Sequence, residues 1–229
     1  TEGITASGGS GNDLLIGSRN NDTINGQGGD DEIHGGEGND TLTGDSGNDT
    51  IYGGSGNDTI KTGAGDDKVY GEAGDDIIIQ NGSGTQTYDG GSGTDTLKVD
   101  TSGGWVGTLN KDYPNSIEIN MTTGIVGQTN NPNKRDSFSN IENITFIGSF
   151  DTLLTGDGND NIIIGDTGND TLDGGNGNDT LDGGAGNDTL KGGTGDDTYH
   201  YTGEDGFDII TDTGGTDTIA VSYTHLTLP

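Results

Sequence analysis

The 229-residue chain has no cysteine, three prolines, one tryptophan and one methionine, and only eight lysines and arginines together. Without cysteine there are no disulfides and no thiolate ligands, so a bound metal would have to be a hard ion held by oxygen. Hydrophobic residues make up 24% of the chain, and no apolar run approaches the length of about 20 residues that a helical membrane span needs. So low an apolar share, with a net charge of −31, is the profile of a chain that does not fold unaided. The scarcity of basic residues also disfavours nucleic acid and anionic membranes as partners, because the charge would repel phosphate. The HExxH, GxSxG and P-loop patterns are absent, and so is the glutamate that closes an EF-hand loop. No catalytic site is expected in this chain.

What is abundant is glycine, 48 residues, and acid, 39 residues, and both recur in one nine-residue word, GGxGxDxUx, where U is a large aliphatic. Gly8-Gly9-Ser10-Gly11-Asn12-Asp13-Leu14-Leu15-Ile16 is one copy, and Gly183-Gly184-Ala185-Gly186-Asn187-Asp188-Thr189-Leu190-Lys191 is another. The sixth position of the first block holds Asp13, Asp22, Asp31, Asp40, Asp49, Asp58, Asp67 and Asp76. After a one-residue insertion Gln86 takes the slot, and Asp95 restores it. The second block reads as Asp151, Asp160, Asp170, Asp179, Asp188 and Asp197, with an extra residue between Asp160 and Asp170, and two looser copies follow at Asp208 and Asp217. The eighth position is aliphatic or Tyr throughout, from Leu15, Ile24 and Ile33 to Leu153, Ile162, Leu172 and Tyr199.

A fixed short period means one small unit stacked many times. Polar–apolar–polar triplets rich in Thr and Ile read as short strands with one inward side chain, and the glycine-rich hexamers between them read as turns. Two words make one coil of an all-β parallel solenoid, so words i and i+2 stack. Each word buries about one aliphatic side chain, too little to hold it in order. Stacked carboxylates about 6 Å apart repel by roughly 3 kcal/mol at an effective dielectric near 20. A divalent cation between the turns replaces that repulsion with two attractions. An all-oxygen, irregular shell suits Ca²⁺ better than Mg²⁺. The expected pairs are Asp13 with Asp31, Asp22 with Asp40 and so on, then Asp151 with Asp170, Asp160 with Asp179, Asp170 with Asp188 and Asp179 with Asp197.

These words resemble the RTX, or haemolysin-type, calcium-binding nonapeptide repeats over residues 8–98 and 151–219. The resemblance implies a right-handed parallel β-roll with Ca²⁺ in its turns, the aspartate of each word as side-chain ligand and turn carbonyls completing the shell. It further implies a secreted or cell-surface bacterial protein, exported through type I secretion machinery and folding outside the cell. Two words depart from the pattern: Gln86 is neutral, and Gly17-Ser18-Arg19-Asn20-Asn21-Asp22 lacks two glycines.

The expected organisation is a first repeat block at 8–98, a β-rich spacer at 99–147, a second block with decayed repeats at 148–220, and a non-native tail at 221–229 resembling a translated sequencing adapter. The chain starts at Thr1 without a signal peptide and reads as a fragment of a larger protein, from metagenomic sequence. In the spacer, Ser116–Met121 and Ser139–Phe146 read as strands and 127–133 as a loop. Trp105 and Tyr113 are candidates for a small glycan surface. The rival functional readings are an adhesin-type solenoid that contacts a surface or glycan, and the non-catalytic scaffold of an exoenzyme. Ice binding is disfavoured, because the third position of the turn lacks a row of threonines.

Overall fold

In the computed structural model, residues 2–102, 117–128, 135–202 and 206–222 are described. They form an all-β parallel solenoid of about 11 turns, consistent with a right-handed β-roll. Successive strands alternate between two sheets, of eleven and twelve strands among the described residues. Strand Thr23–Gly28 pairs with Thr41–Ser46, and Glu32–Glu37 with Thr50–Ser55, each offset by two words. The interior is correspondingly thin. Ile24, Leu42, Ile60, Ile78 and Leu97 line one sheet, and Ile33, Ile51, Val69 and Tyr88 line the other, all essentially inaccessible to solvent.

Strands are longer than the sequence suggests. Most regular words form a six-residue strand that runs through the first half of the glycine hexamer, as in Thr41–Ser46 and Thr59–Ala64. The first position of the word points inward, as Gly44 in the one and the buried Thr62 in the other, and the ladder continues through it where a turn was expected. The reversal itself falls on the fourth position. There Gly47 has φ 132°, and an added Cβ would collide with the carbonyl of Gly29 in the coil before it.

The second block corrects the sequence register. The inward slot falls on Thr152 and Asn161, both buried, while Asp151 and Asp160 are exposed. The pairing Leu154↔Leu172 and Ile163↔Leu181 puts Leu154 and Ile163 in the core, not Leu153 and Ile162. No residue is inserted between the two words. The run Ile162-Ile163-Ile164 offers three equivalent aliphatics, so apolar pattern alone does not fix the phase.

Both sheets run through the 99–147 stretch. Strand Thr96–Asp100 pairs directly with Asn143–Ile147 in one sheet. In the other, Ile117–Asn120 and Ile125–Gln128 form an antiparallel hairpin inserted between Arg135–Ser139 and Thr152–Thr155. Of the two expected strands, the first is described as Ile117–Asn120, while the span Ser139–Phe146 divides between the end of Arg135–Ser139 and the strand Asn143–Ile147. The expected loop begins as the end of a strand and continues into residues that are not described. Trp105 and Tyr113 also lie outside the described residues, as does the tail beyond Ser222.

Candidate metal centre

Each coil carries two hydrogen-bonded ladders at its turns. The inner ladder is made by the sixth-position aspartates. Asp22, Asp31, Asp40, Asp49 and Asp58 each donate a backbone N–H to the Oδ1 of the aspartate two words later, at 2.7–2.9 Å. The expected pairs of the first block therefore stack, and Asp170 with Asp188 and Asp179 with Asp197 stack likewise at 2.8 and 2.7 Å. The slot partners of Asp170 and Asp179 on the preceding coil are Thr152 and Asn161. An outer, exposed ladder uses the fifth position: Asn39 N–H donates to Asn21 Oδ1 and Asn57 N–H to Asn39 Oδ1. Asp151 and Asp160 belong to this outer ladder, accepting from Asn169 and Asn178.

The inner ladder satisfies only half of each carboxylate. Oδ2 of Asp31, Asp40, Asp49, Asp58, Asp67, Asp76, Asp95, Asp170, Asp179 and Asp197 is buried and has no hydrogen-bond donor. Apart from Asp67, whose word opens with the buried Thr62, each of these oxygens faces a glycine-sized hollow. A Cβ added to Gly35 would run into Asp40 Oδ2 and the carbonyl of Gly53, and one on Gly44 would meet Asp49 Oδ2 and the carbonyl of Thr62. The hollow is lined by carboxylate and carbonyl oxygen, the donor set of a hard cation. Leaving a buried acceptor unsatisfied costs about 1–3 kcal/mol, and more when it is charged. Repeated coil after coil, that penalty rivals the roughly 5–15 kcal/mol that stabilises a whole domain. The residues present fit a row of cations.

Burial, followed by repulsion from neighbouring carboxylates, raises several of these acids. Asp58, Asp67 and Asp170 are pushed up to about 7 from an ordinary value of 3.8, and Asp95 and Asp179 to about 6. Asp22 behaves differently. Burial raises it, but the donors around it outweigh that and leave it lowered. Ile4 N–H at 2.7 Å and the Ser18 hydroxyl at 3.0 Å serve Oδ1, and Ser18 N–H at 2.5 Å serves Oδ2. In the word that lacks two glycines, Ser18 thus supplies hydrogen bonds where other words face a hollow.

The middle of the roll contains slot residues that sequence reading missed. Asp136 stacks on Gln86, whose N–H donates to Asp136 Oδ1 at 2.8 Å, and Gln86 Oε1 in turn accepts from Asp67 N–H. Gln80, at the first position of its word, donates its side-chain amide to Asp136 Oδ2. The Gln86 amide donates to Gly65 O at 2.7 Å. On the opposite side Glu142 accepts from Asp95 N–H, and Asn161 donates its side-chain amide to Glu142 O at 2.8 Å. Asp136-Ser137-Phe138-Ser139 and Glu142-Asn143-Ile144-Thr145 are the tails of the nine-residue word without their glycines, which is the signal that could have found them. Burial pushes Asp136 up to about 7 against these hydrogen bonds.

The two described histidines differ. His200 is exposed, while His34 is half-buried and stacks on Tyr52 at 4.7 Å, which stacks on Tyr70 at 5.0 Å. Among the described residues, no helix is long and apolar enough to cross a membrane. No curated protein matches the chain. Residues 7–42, 43–78 and 164–199 match the family described as the RTX calcium-binding nonapeptide repeat (4 copies). The buried aspartate rows and this match together identify the chain as a carrier of RTX calcium-binding nonapeptide repeats.

Proposed function

We propose that the chain is a calcium-dependent folding module of an exported protein. The observation that carries this reading is the row of buried Oδ2 atoms without donors, all but that of Asp67 beside an oxygen-lined hollow. Asp31, Asp40, Asp49, Asp58, Asp67, Asp76, Asp95, Asp170, Asp179, Asp188 and Asp197 would hold the ions, with Asp13 at the edge of its row. Bound Ca²⁺ supplies positive charge where the fold stacks carboxylates and leaves oxygens unpaired. The chain's part is to position those oxygens through the inner ladder and to exclude water with the adjacent aliphatic row.

At the low free Ca²⁺ of a cytosol the sites stay empty, and the chain remains unfolded and able to thread through type I secretion machinery. Outside the cell, where modules of this kind bind with Kd of about 10⁻⁴–10⁻³ M, filling drives folding by linkage. Ions share turns, so filling is cooperative. The module itself is non-catalytic on this reading. Far-UV circular dichroism during Ca²⁺ titration tests it, with Mg²⁺ as control and reversal by chelator. A cooperative coil-to-β transition with Ca²⁺ alone is expected. A fully folded chain in chelator, or no response to Ca²⁺, overturns the reading.

A further inference from the structure

The last described coil departs from the pattern at one position. The word Asp212-Thr213-Gly214-Gly215-Thr216-Asp217-Thr218-Ile219-Ala220 begins with an acid where nearly all others begin with glycine. Elsewhere that position offers the site only a backbone carbonyl, as Gly53 does beside Asp40. Here it offers a carboxylate. Ligand oxygens of Asp197, Asp212 and Asp217 all lie within 4.8 Å of one another, the only such trio of metal-ligating side chains among the described residues.

A second, independent feature points to a ligand. Asp197 is 1% exposed, and no donor reaches its Oδ2. Its Oδ1 is already engaged by Asp179 N–H at 2.7 Å, so the free oxygen is the one available to an ion. Asp217 is held in place by Asp197 N–H at 3.1 Å. Asp212 is clamped from its own side, by Gly214 N–H at 2.9 Å and by the Tyr199 hydroxyl, which itself accepts from Gly192 N–H at 2.9 Å. Burial raises Asp212, but these hydrogen bonds outweigh it and leave it lowered. Burial raises Asp197, and the charges of Asp212 and Asp217 raise it further, which is the repulsion a cation would relieve.

We propose that Asp197, Asp212 and Asp217 form a three-carboxylate site for a hard divalent cation at the last described coil, tighter than any site of the regular repeats. It rests on reading the aspartate rows as calcium sites. The reasoning is ligand charge and rigidity. A repeat site joins one free carboxylate oxygen to carbonyls, whereas this one converges three carboxylates, one of them fixed by a buried tyrosine. More anionic ligands in a more rigid frame raise Ca²⁺ affinity, here by about tenfold or more over a repeat site. Tyr199 acts as a positioning residue, since its hydroxyl donates to Asp212.

Equilibrium dialysis of the full chain against buffered free Ca²⁺, with calcium counted per chain, tests this. The parent should retain one ion at free Ca²⁺ about tenfold below the level at which the others leave. Asp212→Gly, which restores the usual residue, should lose that tight retention, its ion leaving with the rest. Asp212→Asn, which preserves size and a hydrogen-bond acceptor for Tyr199, should also lose it, and it serves if the glycine variant fails to fold in saturating Ca²⁺. Retention of the tight ion by both variants overturns the site. So does a parent that binds calcium cooperatively with no tighter ion, while the repeat reading survives. A parent that binds no calcium at all overturns both.

Discussion

The repeat blocks and the joint between them solve one problem in two ways. In the blocks, Asp40, Asp58 and Asp76 stack with one oxygen of each left to a glycine-lined hollow. In the joint, Gln80, Gln86, Asn161 and Thr152 fill the equivalent places with amides and a hydroxyl. Around Gln86 the backbone path is that of the blocks, since Thr87–Ser92 stacks on Lys68–Ala73 in the register of every regular coil. What differs is the source of positive charge: an N–H dipole built into the chain, or an ion from solution. The β-roll geometry therefore does not itself require a metal. The requirement comes from placing an acid in the slot and glycine beside it.

Acidification should act on the most groups at once and so give the largest effect. The slot acids are raised in the folded state, Asp58, Asp67 and Asp170 to about 7 from 3.8. A raised folded pKa means the folded chain holds protons more tightly. In chelator, that stabilisation is fully present below about pH 4 and is lost as pH rises through about 7. The calcium-free roll should thus gain β-signal in circular dichroism on acidification, whereas its calcium affinity falls over the same window. A metal-free fold that strengthens toward pH 8 would break the distinction drawn between blocks and joint.

Asp58→Ala removes the free Oδ2 of its own site and the Oδ1 that holds Asp40 N–H in the site before it. It should raise the Ca²⁺ midpoint of folding several-fold, on the order of tenfold if both sites fail. Asp22→Asn, in the slot that Ser18 already satisfies, should leave the midpoint close to the parent value. Folding of Asp58→Ala at the parent's Ca²⁺ concentration would sink the bridging scheme.

Gln80→Gly converts the joint toward a block by taking the amide from Asp136 Oδ2. The metal-free joint should lose about 1–3 kcal/mol for the unsatisfied oxygen. Calcium counting should show one more ion per chain than the parent. An unchanged count would mean that glycine beside a slot acid is insufficient to make a site.

The smallest effect concerns backbone strain. Glu72 occupies the second position with φ 75°, where Gly36 and Gly54 stand in other words. Glu72→Gly should stabilise the calcium-loaded block by about 0.5–1 kcal/mol, read from thermal unfolding, and should leave the joint's behaviour alone.

Period and composition made the solenoid, the i to i+2 stacking and the inner aspartate row of the first block legible, because a nine-residue rule enforced by glycine leaves one way to stack. Where the rule loosens, sequence loses the phase. Leu153-Leu154 and Ile162-Ile163-Ile164 satisfy the apolar position in more than one frame, and only cross-strand pairing selects Leu154 and Ile163. Gln80 and Asp136 lie 56 residues apart, so their hydrogen bond has no local signature. Six-residue strands were hidden because glycine at the first two positions usually signals a turn, whereas here it lets two backbones and a carboxylate meet.

The two turn ladders run in opposite senses along the roll. Inner N–H groups donate toward the later coil, as Asp40 does to Asp58, while outer ones donate toward the earlier coil, as Asn57 does to Asn39. Removing a coil from either end therefore strips its neighbour of one donor and one acceptor alike. The roll has no polarity of growth at its turns: both ends are equally sticky, and a coil added at either is welcomed by the same chemistry.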